Sequence, residues 1–279
     1  RMGSIFSNSS FNGNISNWDI SGLESTSYMF YNSSFNGDIN TKFVSLGSKS
    51  YVAWDVSNVT NFIYMFRDCP FDSNISSWEI NPNDVPDLSY MFSMSIFNQP
   101  INTNLVTINN RTYKAWDMSN VENISYMFET VSSTNQDLYS FNQYIGDWDT
   151  SSVTNMQSTF VGCRVFNQDI STKETTIGSD TYIAWDTSKV TNMQSTLAQC
   201  REFNQDIGNW DTSSVTNMKS MFSFAILFDE DINTKNVTVG TNSYTAWDTS
   251  SVTDMGGMFY CFSAEALIGA FNQPIGNWD

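Results

Sequence analysis

The chain is 279 residues long, with 29 acidic and 12 basic side chains, no histidine and a formal net charge of −17. That balance excludes nucleic-acid binding by phosphate neutralisation. The lack of histidine excludes Ser-His-Asp and Cys-His catalysis, His-ligated metals and an imidazole pH switch.

Read along the chain, nine tryptophans, each followed by an acid, mark a repeat: Trp18, Trp54, Trp78, Trp116, Trp148, Trp185, Trp210, Trp247 and Trp278. A Phe-Asn/Asp-x-x-Ile block precedes each one, starting at Phe11, Phe35, Phe71, Phe97, Phe141, Phe166, Phe203, Phe228 and Phe271. A Ser-x-Val-Thr-Asn-Met-x-x-Met-Phe block follows, as in Ser213 to Phe222. The unit is about 25 residues, and alternate units carry an insert between Ile and Trp, at 40–53, 102–115, 171–184 and 233–246. Apolar groups at 0, +3, +6 and +7 in the Val-Met-Met-Phe block match one face of a short helix, with Ser57, Ser119, Ser151, Ser188, Ser213 and Ser250 as its N-caps. The Ile-x-x-Trp-Asp block reads as a short strand. Each insert alternates around a turn, as with Val237, Val239, Tyr244 and Ala246, and reads as a β-hairpin. The expectation is an α/β repeat: one right-handed, leucine-rich-repeat-like solenoid over 1–279, of about nine coils. Each coil would hold a short strand and a short helix, with hairpins on alternate coils. Two departures, the Asn-Pro-Asn-Asp-Val-Pro stretch at 81–86 and the long connector at 129–140, read as local loops. Because the sequence opens and closes inside a unit, the expectation is a window of a longer array.

The words F-N-Q-D-I-G-N-W-D-T-S-S-V-T-N-M and A-W-D-T-S-x-V-T-N-M resemble the BspA-like leucine-rich-repeat surface proteins, a repeat abundant in mycoplasma-type surface lipoproteins. The resemblance implies an extracellular solenoid for adhesion or host contact, and it carries no catalytic motif.

Candidate sites fall in register with the repeat. The Trp-Asp acids Asp55, Asp117, Asp149, Asp186, Asp211 and Asp248 form a ladder able to offer oxygens to Ca²⁺. The plainer reading is that each caps the turn after it, and no D-x-D-x-D pattern or Gly-rich nonapeptide favours calcium. No other cofactor is expected, and acids that recur with the repeat do not mark an enzyme's unique carboxylate pair. Cys163 and Cys200 occupy the same place in adjacent coils, so a disulfide and two small buried thiols are both open readings. No C-x-x-C pair occurs to hold a metal. Sequons stand at Asn8, Asn14, Asn32, Asn58, Asn74, Asn110, Asn123 and Asn236, glycosylated only under eukaryotic secretion. Tyr28, Tyr64, Tyr90 and Tyr126 recur about ten residues after Trp, where later coils have Ser158, Ser195, Ser220 and Gly257. This is either an aromatic strip for a glycan or partner, or a half-buried cover. The inserts share Tyr51, Tyr113, Tyr182 and Tyr244, three residues before Trp, as candidate partner contacts. The functional expectation is a non-enzymatic extracellular or cell-surface module that binds a protein or glycan. The alternative is a structural subunit of a fibre, sheath or surface layer, stacked end to end on copies of itself. Neither reading involves nucleic acid or a membrane span in this segment.

Overall fold

The computed structural model describes residues 2–80, 83–130, 141–261 and 269–279. Most of the 129–140 connector and residues 81–82 of the other departure lie outside them. The regular elements are four two-stranded antiparallel hairpins: β1 (Lys42–Leu46) with β2 (Lys49–Ala53), β3 (Asn104–Ile108) with β4 (Arg111–Ala115), β5 (Lys173–Ile177) with β6 (Asp180–Ala184), and β7 (Lys235–Val239) with β8 (Asn242–Ala246).

Among the described residues there is no α-helix, and the Ile-x-x-Trp block is not a strand. The expected α/β, leucine-rich-repeat-like solenoid with a helix in every coil is therefore overturned. The Val-Met-Met-Phe block is instead a run of overlapping β-turns. The Met29 N–H donates to the Thr26 carbonyl, Tyr31 to Tyr28 and Ser33 to Phe30. Tyr28 and Asn32, third in the first and last of these turns, have φ of 56° and 48°. A positive φ there suits a type II turn and stops the chain from continuing as a helix. The N–H groups between these bonds point along the stack. Thr26, Tyr28, Phe30 and Asn32 donate to the carbonyls of Asn61, Ile63, Met65 and Arg67 in the next coil. Alternate residues thus serve the coil and its neighbour, which satisfies the buried backbone. The pattern recurs in each later coil, and a chain of parallel bridges runs through it from Ser25, by Asn61, Asp87, Asn123, Asn155, Asn192 and Asn217, to Asp254.

Stacking coils brings like residues together, and each motif letter becomes a ladder. One phenylalanine ladder is continuous from Phe11 to Phe271, with ring centroids 5.9–6.4 Å apart. A second runs from Phe6 to Phe160, is interrupted by Leu197, and resumes at Phe222 and Phe259. Seven tryptophans, Trp54 through Trp247, are fully buried. Every indole from Trp54 onward donates Nε1–H to the isoleucine carbonyl of an adjacent coil, as Trp54 does to Ile15 at 2.9 Å and Trp185 to Ile145 at 2.9 Å. At the coil edge, each Phe-Asn side chain accepts the backbone N–H of its counterpart one coil on, from Asn12 with Asn36 to Asp229 with Asn272. The repeat therefore fixes its own register: a unit out of step would misplace the indole bond, the asparagine bond and the ring stacks together.

Plain and hairpin-bearing coils differ at tryptophan. In plain coils the Trp N–H closes a turn onto Ile three residues back, as Trp78 does onto Ile75. In hairpin coils Trp54, Trp116, Trp185 and Trp247 have φ of 50–52°, and their N–H groups donate to the tryptophan carbonyl of the preceding plain coil. A threonine hydroxyl at the start of each insert then reaches the Trp carbonyl: Thr41 to Trp54, Thr103 to Trp116, Thr172 to Trp185 and Thr234 to Trp247, at 2.6–2.8 Å. A left-handed bulky residue costs about 1–3 kcal/mol. Here the clasp, the indole bond and the buried stack hold it in place.

Candidate partner-binding face

The four hairpins close with two-residue loops. Gly47, Gly178 and Gly240 take the first loop position with φ of 57–65°, as a type II′ turn requires. In the second hairpin Asn109 and Asn110 both have positive φ, the type I′ pattern. The hairpins lean on one another. A Cβ on Gly178 would meet Leu105 Cδ1 of the preceding hairpin at 2.7 Å. A Cβ on Gly240 would meet Glu174 Oε2 at 2.6 Å, again from the hairpin before it. Lys114 Nζ of the second hairpin also reaches Asp180 of the third at 2.6 Å. The second to fourth hairpins thus form one row.

The hairpin tyrosines face the coils. Tyr51 donates its hydroxyl to the Asn17 carbonyl, Tyr113 to Ser77, Tyr182 to Asp147 and Tyr244 to Asn209, each in the preceding plain coil. Burial raises the pKa of Tyr113, Tyr182 and Tyr244, the last pushed up to about 12. The Tyr113 and Tyr244 rings line clefts beneath the hairpins, while the outer face carries the hydroxyl pairs Thr107–Thr112, Thr176–Thr181 and Thr238–Ser243. Phe43, Leu46 and Leu105 are exposed large apolar side chains on the first two hairpins.

Asp55, Asp117, Asp149, Asp186, Asp211 and Asp248 are half-buried, and each accepts the N–H of the serine two residues on at 2.9–3.2 Å. Among the described residues no group of three or more His, Cys, Asp or Glu is placed to hold a metal ion. Glu79, which replaces Asp in this series, is buried and bound by both guanidinium nitrogens of Arg111 at 2.5 and 2.7 Å. Sequence spacing did not bring out this pair.

Cys163 and Cys200 are free, buried thiols that donate to the Phe128 and Phe160 carbonyls. Burial pushes Cys163 up to about 12 and Cys200 well above its ordinary value. Of the sequon asparagines, Asn8, Asn14, Asn32, Asn58, Asn74, Asn110 and Asn236 are exposed, and Asn123 is half-buried in the bridge ladder.

A second aromatic feature lies on the turn face. Tyr28, Tyr64, Tyr90 and Tyr126 stack in a row at centroid distances of 4.8, 4.5 and 4.3 Å, with the Arg67 guanidinium 5.3 Å from the Tyr64 ring and 5.7 Å from Tyr90. The rings cover one another, so the row presents ring edges and hydroxyls outward.

These features define a repeat protein of stacked, turn-built coils with a row of hairpins pinned to one face. The chain belongs to the family described as Mycoplasma protein of unknown function, DUF285, whose model matches residues 1–47, 43–142, 108–181 and 173–279. No curated protein matches the chain, and no solved structure does. No helix among the described residues is long and apolar enough to cross a membrane.

Proposed function

We propose that the protein is a non-enzymatic binding module displayed outside the cell, and that the hairpin row is its contact face. The observation that carries this is the hairpins' placement. All four occupy the same position in their coils, are clasped by Thr to Trp, and are pinned by a Tyr hydroxyl to the coil before. Plain coils stack without hairpins, so the inserts add ordered surface beyond what the core needs, which is where recognition concentrates. The resemblance of the repeat words to BspA-like surface proteins supports the extracellular setting.

The test is to replace residues 171–184 by Gly-Asn, the connection plain coils use in Ile207-Gly208-Asn209-Trp210, and to treat the second hairpin likewise. Beads carrying wild type and variants are scored on arrays of matrix proteins and glycans. Wild-type binding that disappears in a folded hairpin-less variant supports the reading, and binding that survives overturns it. Sizing of the same preparations tests the alternative, a subunit that stacks on copies of itself.

A further inference from the structure

Successive hairpins enclose three equivalent clefts. Each has the tyrosine of the later hairpin and two acids, one from the coil bearing the earlier hairpin and one from the plain coil between. The first has Tyr113 with Asp55 and Glu79, the second Tyr182 with Asp117 and Asp149, the third Tyr244 with Asp186 and Asp211. In all three, after burial, both acids raise the tyrosine's pKa, and in the second Asp147 acts ahead of them.

The first two clefts hold a cation of the chain's own. In the first, Arg111 opens strand β4, lies 5.1 Å from the Tyr113 ring centre and pairs with Glu79 through both nitrogens. In the second, the cation comes from the other wall: Lys114 of the earlier hairpin lies 5.3 Å from the Tyr182 ring and pairs with Asp117 at 3.1 Å and Asp180 at 2.6 Å. Two unrelated sequence positions thus place a cation beside the cleft tyrosine, paired with the plain-coil acid in the first cleft and with the hairpin-coil acid in the second.

The third cleft differs. Asn242 stands where Arg111 stands in the first, and Ile183 where Lys114 stands in the second. Among the described residues no Lys or Arg forms an ion pair with Asp186 or Asp211. The cleft is an open space of about 360 Å³ lined by Ile183, Asp186, Asp211, Val239, Asn242 and Tyr244. The first, lined by the corresponding residues with Arg111 among them, holds about 210 Å³.

We propose that the cleft between the third and fourth hairpins receives a lysine or arginine side chain of a partner protein, its cationic head seated over the Tyr244 ring between Asp186 and Asp211. Ile183 and Val239 would pack on the aliphatic stem, and the ring and two carboxylates would hold the charge. The inference deepens the reading of the hairpin row as a contact face by naming what one part of it recognises.

The experiment titrates ¹⁵N-labelled protein with acetyl-Gly-Lys-Gly-amide and acetyl-Gly-Arg-Gly-amide, with the isosteric Gln peptide as control. Saturable shifts centred on the Asn242, Tyr244 and Asp186 amides are expected with the two basic peptides and not with Gln. Asn242→Arg, which installs the first cleft's own cation, is expected to abolish them. Asp211→Asn is expected to weaken binding about tenfold, as for loss of one charge-assisted bond, and Asp38→Asn, at a distant exposed acid, to leave it unchanged. Should a cleft variant not fold, Arg111→Asn serves instead: it empties the first cleft and is expected to add a second set of saturable shifts there. Shifts spread over all acidic residues without saturation, or unchanged by Asn242→Arg, would overturn the proposal. The readout is independent of adhesion: local peptide binding without array binding sinks the adhesion reading alone, and the reverse sinks this site alone.

Discussion

The first four coils and the next four share one backbone and use different side chains to hold it. Two residues after Trp, the first half buries Ile20, Val56, Ile80 and Met118, and the second buries Thr150, Thr187, Thr212 and Thr249. The threonines are not exposed replacements. Thr150, Thr187 and Thr212 donate their hydroxyls to the carbonyls of Asp186, Asp211 and Asp248 one coil on, at 2.7–2.9 Å. At the left-handed turn residue the first half has the stacked tyrosines and the second has Ser158, Ser195, Ser220 and Gly257. At the junction, Gln157 Nε2 donates to the Tyr126 hydroxyl, and an amide ladder follows as Asn192 bonds Gln157 and Asn217 bonds Gln194. The turn tolerates several residue types, but a ladder works only when its neighbours match. Side-chain choice is therefore made in blocks, not coil by coil.

Removing what both halves share should have the largest effect. Trp54→Ala and Trp185→Ala are each expected to cost about 3–5 kcal/mol in urea unfolding, as buried aromatic truncations. The losses should be similar, since the indole bonds match at 2.9 Å. A gap of several kcal/mol between them would show that the halves are held by different means after all.

The buried position after Trp should separate the halves. Thr187→Val leaves the Asp211 carbonyl without its hydroxyl partner and is expected to cost about 1–3 kcal/mol. Val56→Thr, the reverse change in the first half, should cost less, because by repeat register the Glu79 carbonyl lies where the new hydroxyl points. Equal costs in melting experiments would remove the block argument.

Tyr90→Ser breaks two stacks at once and is expected to cost about 1–3 kcal/mol, from about 0.5–1.5 per aromatic pair. Ser195→Tyr, placed among serines, should gain nothing measurable in thermal melting.

The smallest effect is on alkaline titration. Burial raises the pKa of Tyr28 and Tyr90 in the ladder and of Tyr113, Tyr182 and Tyr244 on the hairpins, so each holds its proton more tightly folded than unfolded. Their contribution is whole below about pH 10, the unfolded value, and is lost as pH rises through the folded values. Absorbance at the tyrosinate band should lag that of the unfolded chain above pH 10, and melting temperature should fall over the same range. Coincident curves would contradict the burial.

The period, the core letters and the hairpins could be read from the sequence because each rests on residues recurring at fixed spacing. The helix could not. Val215, Met218, Met221 and Phe222 have a helical spacing, but linked β-turns bury the same positions. What separates the two is the residue between, Ser220 with φ of 55°, and the wealth of Asn, Ser and Thr, poor helix formers that favour turns. Of the candidate face, the shared hairpin tyrosine was legible as a position, but its inward hydroxyl bond was not, because the acceptor is a backbone carbonyl about 35 residues away. The cations over those rings were hidden for a related reason: Arg111 meets the tyrosine of its own hairpin and Lys114 that of the next, so no shared repeat position marks them.

The clasp between threonine and tryptophan has a consequence for what the scaffold can carry. The inserted chain leaves its coil just before Thr41 and rejoins it at Trp54, and one 2.8 Å bond ties those two points together. Beyond that neck the column holds the hairpin through its tyrosine, as Tyr51 to the Asn17 carbonyl, and leaves the turn at the tip to vary, as the differing loops at Gly47 and Asn109 show. Each hairpin is thus a socket whose tip is open to exchange while the stack stays intact.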